Sequence, residues 1–339
     1  MKNKGFVKFF RPGHRLGAVL LGIVWLTVAA PSVVDAQPAW PAKQILAVVP
    51  YPVGGIIDVV TRIVTGKIAP VLGQPIIVES RPGNDGNIGT ASVAHSPADG
   101  YTWLVNTVPF TTQVSLRPYA VLRYDPIKDF QHVAQLSTCP NVFVVPNKLP
   151  VNTLKEFIVY AKSQSVPLSY ATTGNGTTAH LGTLTFMRAT GIEMLHVPYK
   201  GQSPAFFDVL AGRVDFMNLA LIAALPQIKA GKLKALAMVE TVRDKQLPNL
   251  PTIVEEGYPD VIVVPWQGLF MPAKTPKEIV QRVNTEVMKA LQSPDVIEKM
   301  QNAGITPAKP HRPEDFEKMI KTEVARFAKL IKEANIKVD

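Results

Sequence analysis

Apolar residues along this chain recur with two periods that hand over to one another at short turns. Residues 44–58, QILAVVPYPVGGIID, begin as an apolar run of strand length and break at a Gly-rich turn. They open a segment in which Val59, Val60, Ile63, Val64 and Ile68 share one helical face until Gly73. A second strand is predicted over 75–79, then a Gly/Asn/Asp turn over 81–89 (RPGNDGNIG), a helix around 90–94 and a third strand over 101–106. This alternation predicts an α/β fold: a mostly parallel sheet covered by helices, with right-handed crossovers. In open sheets of that kind ligands bind outside the carboxyl ends of the strands.

Two short apolar strands, 141–145 (NVFVV) and 268–271 (GLFM), are each closed by a proline, Pro146 and Pro272, and read as passages between two lobes. Between them the pattern starts afresh. Helices are predicted over 153–163, 179–189, 203–210 and 225–230, and strands over 168–171, 194–197, 214–218 and 233–239. After Pro272 the chain turns helical, over 276–291, 295–302 and 313–334. The expected organisation is a two-lobed clamp, with lobe 1 formed by 37–141 plus 266–339 and lobe 2 by 142–265. A hydrophobic content of 47% is enough to supply two cores.

The first residues address the compartment. Lys2, Lys4, Lys8, Arg11 and Arg15 precede an apolar run over 16–30, and Val34-Asp35-Ala36 offers small residues before Gln37. This is the layout of a secretory signal peptide over 1–36, cleaved after Ala36, so a periplasmic location is expected. The run is shorter than the roughly 20 apolar residues a membrane span needs. Losing this segment removes five basic residues and one acid, so the formal net charge falls from +10 to +6. The remaining charge is dispersed, without an Arg-rich block interleaved with aromatics, and nucleic acid is not expected as a partner. Cys139 is the single cysteine, which excludes an internal disulfide and every cysteine-based metal cluster.

Two turns carry the candidate chemistry. The first, within 50–58, joins a strand to a helix and aims backbone N–H groups at one point, where an anion can sit without a cationic side chain. The second, 172–180 (TTGNGTTAH), has the same strand–turn–helix setting and adds hydroxyls. One such turn per lobe would grip a ligand from both sides.

The stretch PYPVGGIID is similar to the first motif, PFPPGGxTD, of the tripartite tricarboxylate transporter substrate-binding receptors, the Bug family. SRPGNDGNIG at 80–89, ADGYT at 98–102, GNGTTAHL at 174–181, HVPYKGQSPA at 196–205, IKAGKLKALA at 228–237 and GLFMPAKTP at 268–276 resemble further family motifs, in family order. The resemblance implies a two-lobed type II periplasmic binding protein, each lobe a mostly parallel sheet flanked by helices, joined by two crossing strands. It implies a receptor that captures a small carboxylate (a dicarboxylate, tricarboxylate or aromatic carboxylate) by closure and delivers it to a membrane transporter. No cofactor and no metal are implied, and a monomer is expected.

Carried over by position, the first-lobe contacts are Tyr51, Val53, Gly54, Gly55, Ile57, Asp58 and Thr107. Those of the second lobe are Gly174, Asn175, Gly176, Thr177, Thr178, His180, Tyr199, Lys200 and Asn218. In the family such loops hold the carboxylate through backbone amides and ordered waters. The residues themselves also admit plainer roles. Asp58 reads as a helix N-cap, since an unpaired carboxylate would repel an anion; His180 reads as a structural histidine; Thr177 or Thr178 caps the second helix; Trp266 packs at the hinge. The chain departs from the family pattern where Ile56 and Ile57 replace small or hydroxyl residues and Val53 replaces a proline. The ligand body expected from this is less polar than citrate, unless both isoleucines turn into the core.

Enzyme readings find little. No G-x-S-x-G elbow, H-E-x-x-H, C-x-x-C, G-x-G-x-x-G or P-loop is present. The alternatives are a sensory receptor presenting the carboxylate to a membrane kinase, and a secreted α/β hydrolase using Ser203 or Thr177 with His180 as base.

Overall fold

The computed structural model describes residues 40–199, 201–333 and Ile336; the expected signal segment, 1–36, lies outside them. The first part of the chain runs β1 (Ile45–Val49), α1 (Ile56–Leu72), β2 (Ile76–Ser80), α2 (Asn87–Ala94), β3 (Thr102–Thr107), α3 (Pro109–Leu116), α4 (Tyr119–Leu122) and β4 (Phe130–Thr138). It continues with β5 (Asn141–Pro146), α5 (Leu154–Ser163), β6 (Leu168–Thr172), α6 (Thr178–Thr190), β7 (Met194–Pro198), α7 (Gln202–Leu210), β8 (Phe216–Ala220), α8 (Leu221–Lys229) and β9 (Leu233–Met238). The last part holds β10 (Trp266–Pro272), α9 (Lys277–Leu291), α10 (Pro294–Asn302), β11 (Thr306–Pro307) and α11 (Pro313–Glu333).

The strands form two sheets, β11-β4-β10-β3-β1-β2 and β7-β6-β8-β5-β9. The crossover strands pair in parallel as expected, β1 with β2 and β3, and β6 with β7 and β8. By contrast, β10 is antiparallel to β3 and β4, and β5 is antiparallel to β8 and β9. The reason is connectivity. Each of these strands enters its sheet from the other one and so starts where its neighbours end. The passages are shorter than the apolar strands that suggested them: the chain crosses at Cys139 and Pro140, and returns just before Trp266. The Cys139 N–H donates to the Pro265 carbonyl at 2.9 Å, tying the two passages together.

Both sheets are covered on both faces, so the central strands β5 and β10 are buried along their whole length. Period-two alternation sorts the side chains: Ile45, Ala47, Val49, Trp103 and Val105 join one cluster of the first sheet, Val48, Leu104 and Phe270 the other. The second sheet sorts likewise, Phe143, Val145 and Tyr170 against Val142, Val144 and Ala171. The helix termini follow local chemistry. Gly73 ends α1 in the left-handed conformation at φ 76°, its N–H on the Ala69 carbonyl. The Thr153 side chain accepts the Glu156 N–H to start α5.

Candidate functional site

A cleft of about 520 Å³ opens at the carboxyl ends of the strands of both sheets. The first turns of four helices reach it: Ile56 and Ile57 of α1, Pro109 of α3, Thr178 and Ala179 of α6, and Gln202 of α7. The first N–H groups of a helix have no partner within it, and its dipole is positive at that end, so converging N-termini favour an anion without a free cation. Asn141 at the start of β5, Met217 and Asn218 within β8, and Pro265 and Gln267 around the start of β10 also line the cleft. Asn218 is 2% exposed, and neither its amide nitrogen nor its amide oxygen finds a partner among the described residues. A buried amide left unpaired costs free energy, which an incoming polar ligand can recover.

Of the expected contacts, Tyr51, Ile57, Thr107, Gly174, Asn175, Thr177, Thr178 and Asn218 line this cleft together. Val53, Gly54, Gly55, Asp58, Gly176, His180 and Tyr199 do not, and Lys200 lies outside the described residues. Each exception has a physical reason. Val53 points to solvent, 67% exposed. Gly55 occupies the N-cap position of α1, and the Gly54 N–H donates to Asp58 Oδ2 at 3.0 Å. Asp58 is therefore the third residue of the helix rather than its cap, reaching back to the turn. Burial opposes its ionisation, but the bonds from Arg62 and Gly54 outweigh this and hold its carboxyl below the usual range. The part of this turn that lines the cleft is the start of the helix itself, Ile56 and Ile57, one residue further on than the glycines suggested.

The second turn is braced from beneath. Thr177 is the N-cap of α6, its side chain accepting from the His180 N–H, while its hydroxyl donates to the Gly174 carbonyl at 2.8 Å. His180 Nδ1 accepts the Gly176 N–H at 3.1 Å, and its ring stacks on His196 with centroids 4.2 Å apart. Burial, with the neighbouring His196, pushes the His180 pKa down to about 3, so the ring is a neutral brace. Gly174, at φ 130°, takes a conformation that only glycine adopts easily. Gly176 faces the other lobe, where its carbonyl accepts from the Thr112 hydroxyl at 3.2 Å. Tyr199 is engaged elsewhere, its hydroxyl donating to Asp208 at 2.7 Å. Trp266 is core, its Nε1–H donating to Glu323 at 2.6 Å.

The sequence reading missed Asp85, Pro109, Gln113, Arg117 and Gln202 in the lining. The signal for α3 was present: Pro109 follows a strand end by two residues and is suited to the first helical position.

A two-lobed α/β molecule with such a cleft at its strand ends is a periplasmic binding protein in fold. Comparison with known families narrows this: the chain belongs to the tripartite tricarboxylate transporter family receptors, whose family model matches residues 60–336. Among its relatives, Protein BugT of Bordetella pertussis is 35% identical over 331 residues, covering 96% of this chain and 98% of BugT. The structure of R. palustris Rpa4515 with adipate is similar with a TM-score of 0.75 at 35% identity, covering 88% of this chain and 99% of that one. That of MatC (Rpa3494) from Rhodopseudomonas palustris with bound malate gives 0.72 at 32% identity, covering 86% and 99%. The family is one of receptors, and the solved structures similar to this chain include periplasmic binding protein BugD and a TctC solute binding protein from Polaromonas.

Proposed function

We propose that this chain is a periplasmic receptor that captures a small carboxylate by closure and hands it to a tripartite tricarboxylate-type membrane transporter. Residues 1–36 act as its cleaved signal peptide. The observation that carries the reading is the meeting of helix N-termini from both lobes with the buried, unpaired amide of Asn218 in one cleft of about 520 Å³. That volume is in the range of small-molecule sites. Relatives of this fold bind adipate and malate, which fits an acid as the ligand.

The cleft supports binding rather than turnover. The Thr177 hydroxyl is committed to the Gly174 carbonyl, and the His180 nitrogen nearest the turn is committed to the Gly176 N–H. A nucleophile needs a base within hydrogen-bond reach, and these two side chains are bonded elsewhere. The Cys139 thiol on the cleft floor is pushed up to about 12 by burial and by Glu240, which leaves it protonated and unreactive.

Capture follows from the passages. Rotation about Cys139-Pro140 and the segment leading to Trp266 brings the α6 turn toward α1, and the ligand favours the closed form by bonding to both. Ile56 and Ile57 both line the cleft while packing on the core beneath it, and the apolar surface they add there supports a ligand body less polar than citrate. Thermal melting with succinate, malate, adipate, benzoate and citrate tests this. The melting temperature rises with at least one acid, and more with adipate or benzoate than with citrate. No rise with any acid overturns the receptor reading, and a preference for citrate overturns the apolar-body argument alone.

A further inference from the structure

Among the described residues, Arg117 is the one cationic side chain that lines the cleft and Asp85 the one carboxylate. Arg117 follows the last turn of α3, and its Nε–H donates to Gln113 Oε1 at 3.0 Å. Gln113 is itself buried, so the guanidinium is held from a fixed base. Nη2 donates to Asp85 Oδ2 at 3.2 Å, and Nη1 has no acceptor among the described residues. The Arg117 side chain is 18% exposed and that of Asp85 62%. Asp85 reaches Arg117 from a left-handed turn at φ 53°, whose next residue, Gly86, packs on Tyr51 of the cleft wall.

The two partners are thus unequal. An ion pair with one exposed member and a single contact contributes little to stability. A carboxylate inside the cleft can instead take the end of the guanidinium with two parallel bonds, which are stronger and more directional. We propose that Arg117 is the specificity-determining residue of the cleft. It receives the second carboxylate of a diacid whose first carboxylate lies at the helix N-termini and Asn218, and Asp85 is the internal stand-in that the diacid displaces. Ile56, Ile57 and Met217 in the lining suit a short hydrocarbon body between two acid groups. This assignment rests on the receptor reading above and names the ligand class for it.

The test compares each diacid with the monoacid of the same carbon count, namely succinate with butyrate, adipate with hexanoate and suberate with octanoate, by isothermal titration. Wild type binds at least one diacid about tenfold or more tightly than its monoacid, the scale of a charged hydrogen-bonded pair. In Arg117→Gln that ratio collapses toward one, and Arg117→Lys recovers part of it. Asp85→Asn removes the stand-in while keeping a residue that tolerates the left-handed turn, and it raises the ratio. This second variant decides the matter should Arg117→Gln fold poorly. A ratio unchanged in Arg117→Gln, or lowered in Asp85→Asn, overturns the assignment. A wild type that prefers monoacids overturns it while leaving the receptor reading standing; a wild type that binds no acid overturns both.

Discussion

Asn218 carries the sharpest conflict between stability and binding. Its amide is buried without a partner among the described residues, which an apolar side chain of similar size would relieve. Asn218→Leu is expected to raise the melting temperature of the ligand-free protein, or leave it unchanged, while weakening acid binding at least tenfold. A variant that loses both stability and binding would point to a packing role. His180 offers a second test. Its folded pKa of about 3 lies below the unfolded value near 6.5, so its neutral form supports the fold at neutral pH, and that support is lost as pH falls through this window. His180→Asn keeps an acceptor for the Gly176 N–H and removes the titration. Between pH 7 and pH 4.5 the variant should lose about 2 kcal/mol less than wild type in denaturant unfolding. Asn218 was legible by its position at the end of the strand expected over 214–218, which the structure shifts to β8 (Phe216–Ala220) with Asn218 in its middle. The role of His180 was not, because a ring that braces a loop and a ring that meets a ligand occupy the same place in sequence.

The informative element is α6. It meets the cleft with its first turn and supports Asn218 with its second: a Cβ on Gly182 would lie 2.5 Å from Asn218 Nδ2. Gly182→Ala therefore requires the amide or the helix to move. The expected cost is about 1–3 kcal/mol in unfolding free energy, with a matching loss of acid affinity in titration. Most helices and crossover strands were legible from periodicity, because each buries one face or lies between helices. The strand β4 escaped, and the reason is its buried polar residues. His132 and Ser137 interrupt the apolar pattern, yet each is satisfied inside, His132 Nε2 by the Pro126 carbonyl and Ser137 by Gln267. The helix α3 was lost with it, and so were Gln113 and Arg117. Only tertiary hydrogen bonding distinguishes such a strand from a polar loop.

At the scale of the molecule, α11 ties the two halves near the passages. Leu181 of α6 and Val263 pack in the same cluster as Phe316, Phe327 and Ile331 of α11, and Arg188 pairs with Glu333 at 2.7 Å. Glu323 on the same helix accepts from Trp266 at the start of β10, and burial pushes its pKa up to about 7. A carboxyl raised in this way is neutral in the fold where the unfolded chain has already ionised, so the contribution of Glu323 to stability falls as pH rises from about 4.5 toward 7, opposite in sign to that of His180. Glu323→Gln should gain on wild type across that range in thermal melts and show a constant difference above it. The two-sheet plan was readable from the restart of the alternation after 146, while the reversed direction of β5 and β10 follows from which sheet each strand joins. The most direct test of the whole account is a crystal structure of the protein with an acid that binds in solution. One carboxylate is expected within hydrogen-bond distance of the first-turn N–H groups of α1 or α6 and of the Asn218 amide. An acid bound elsewhere on the molecule, with this cleft holding only water, would contradict it.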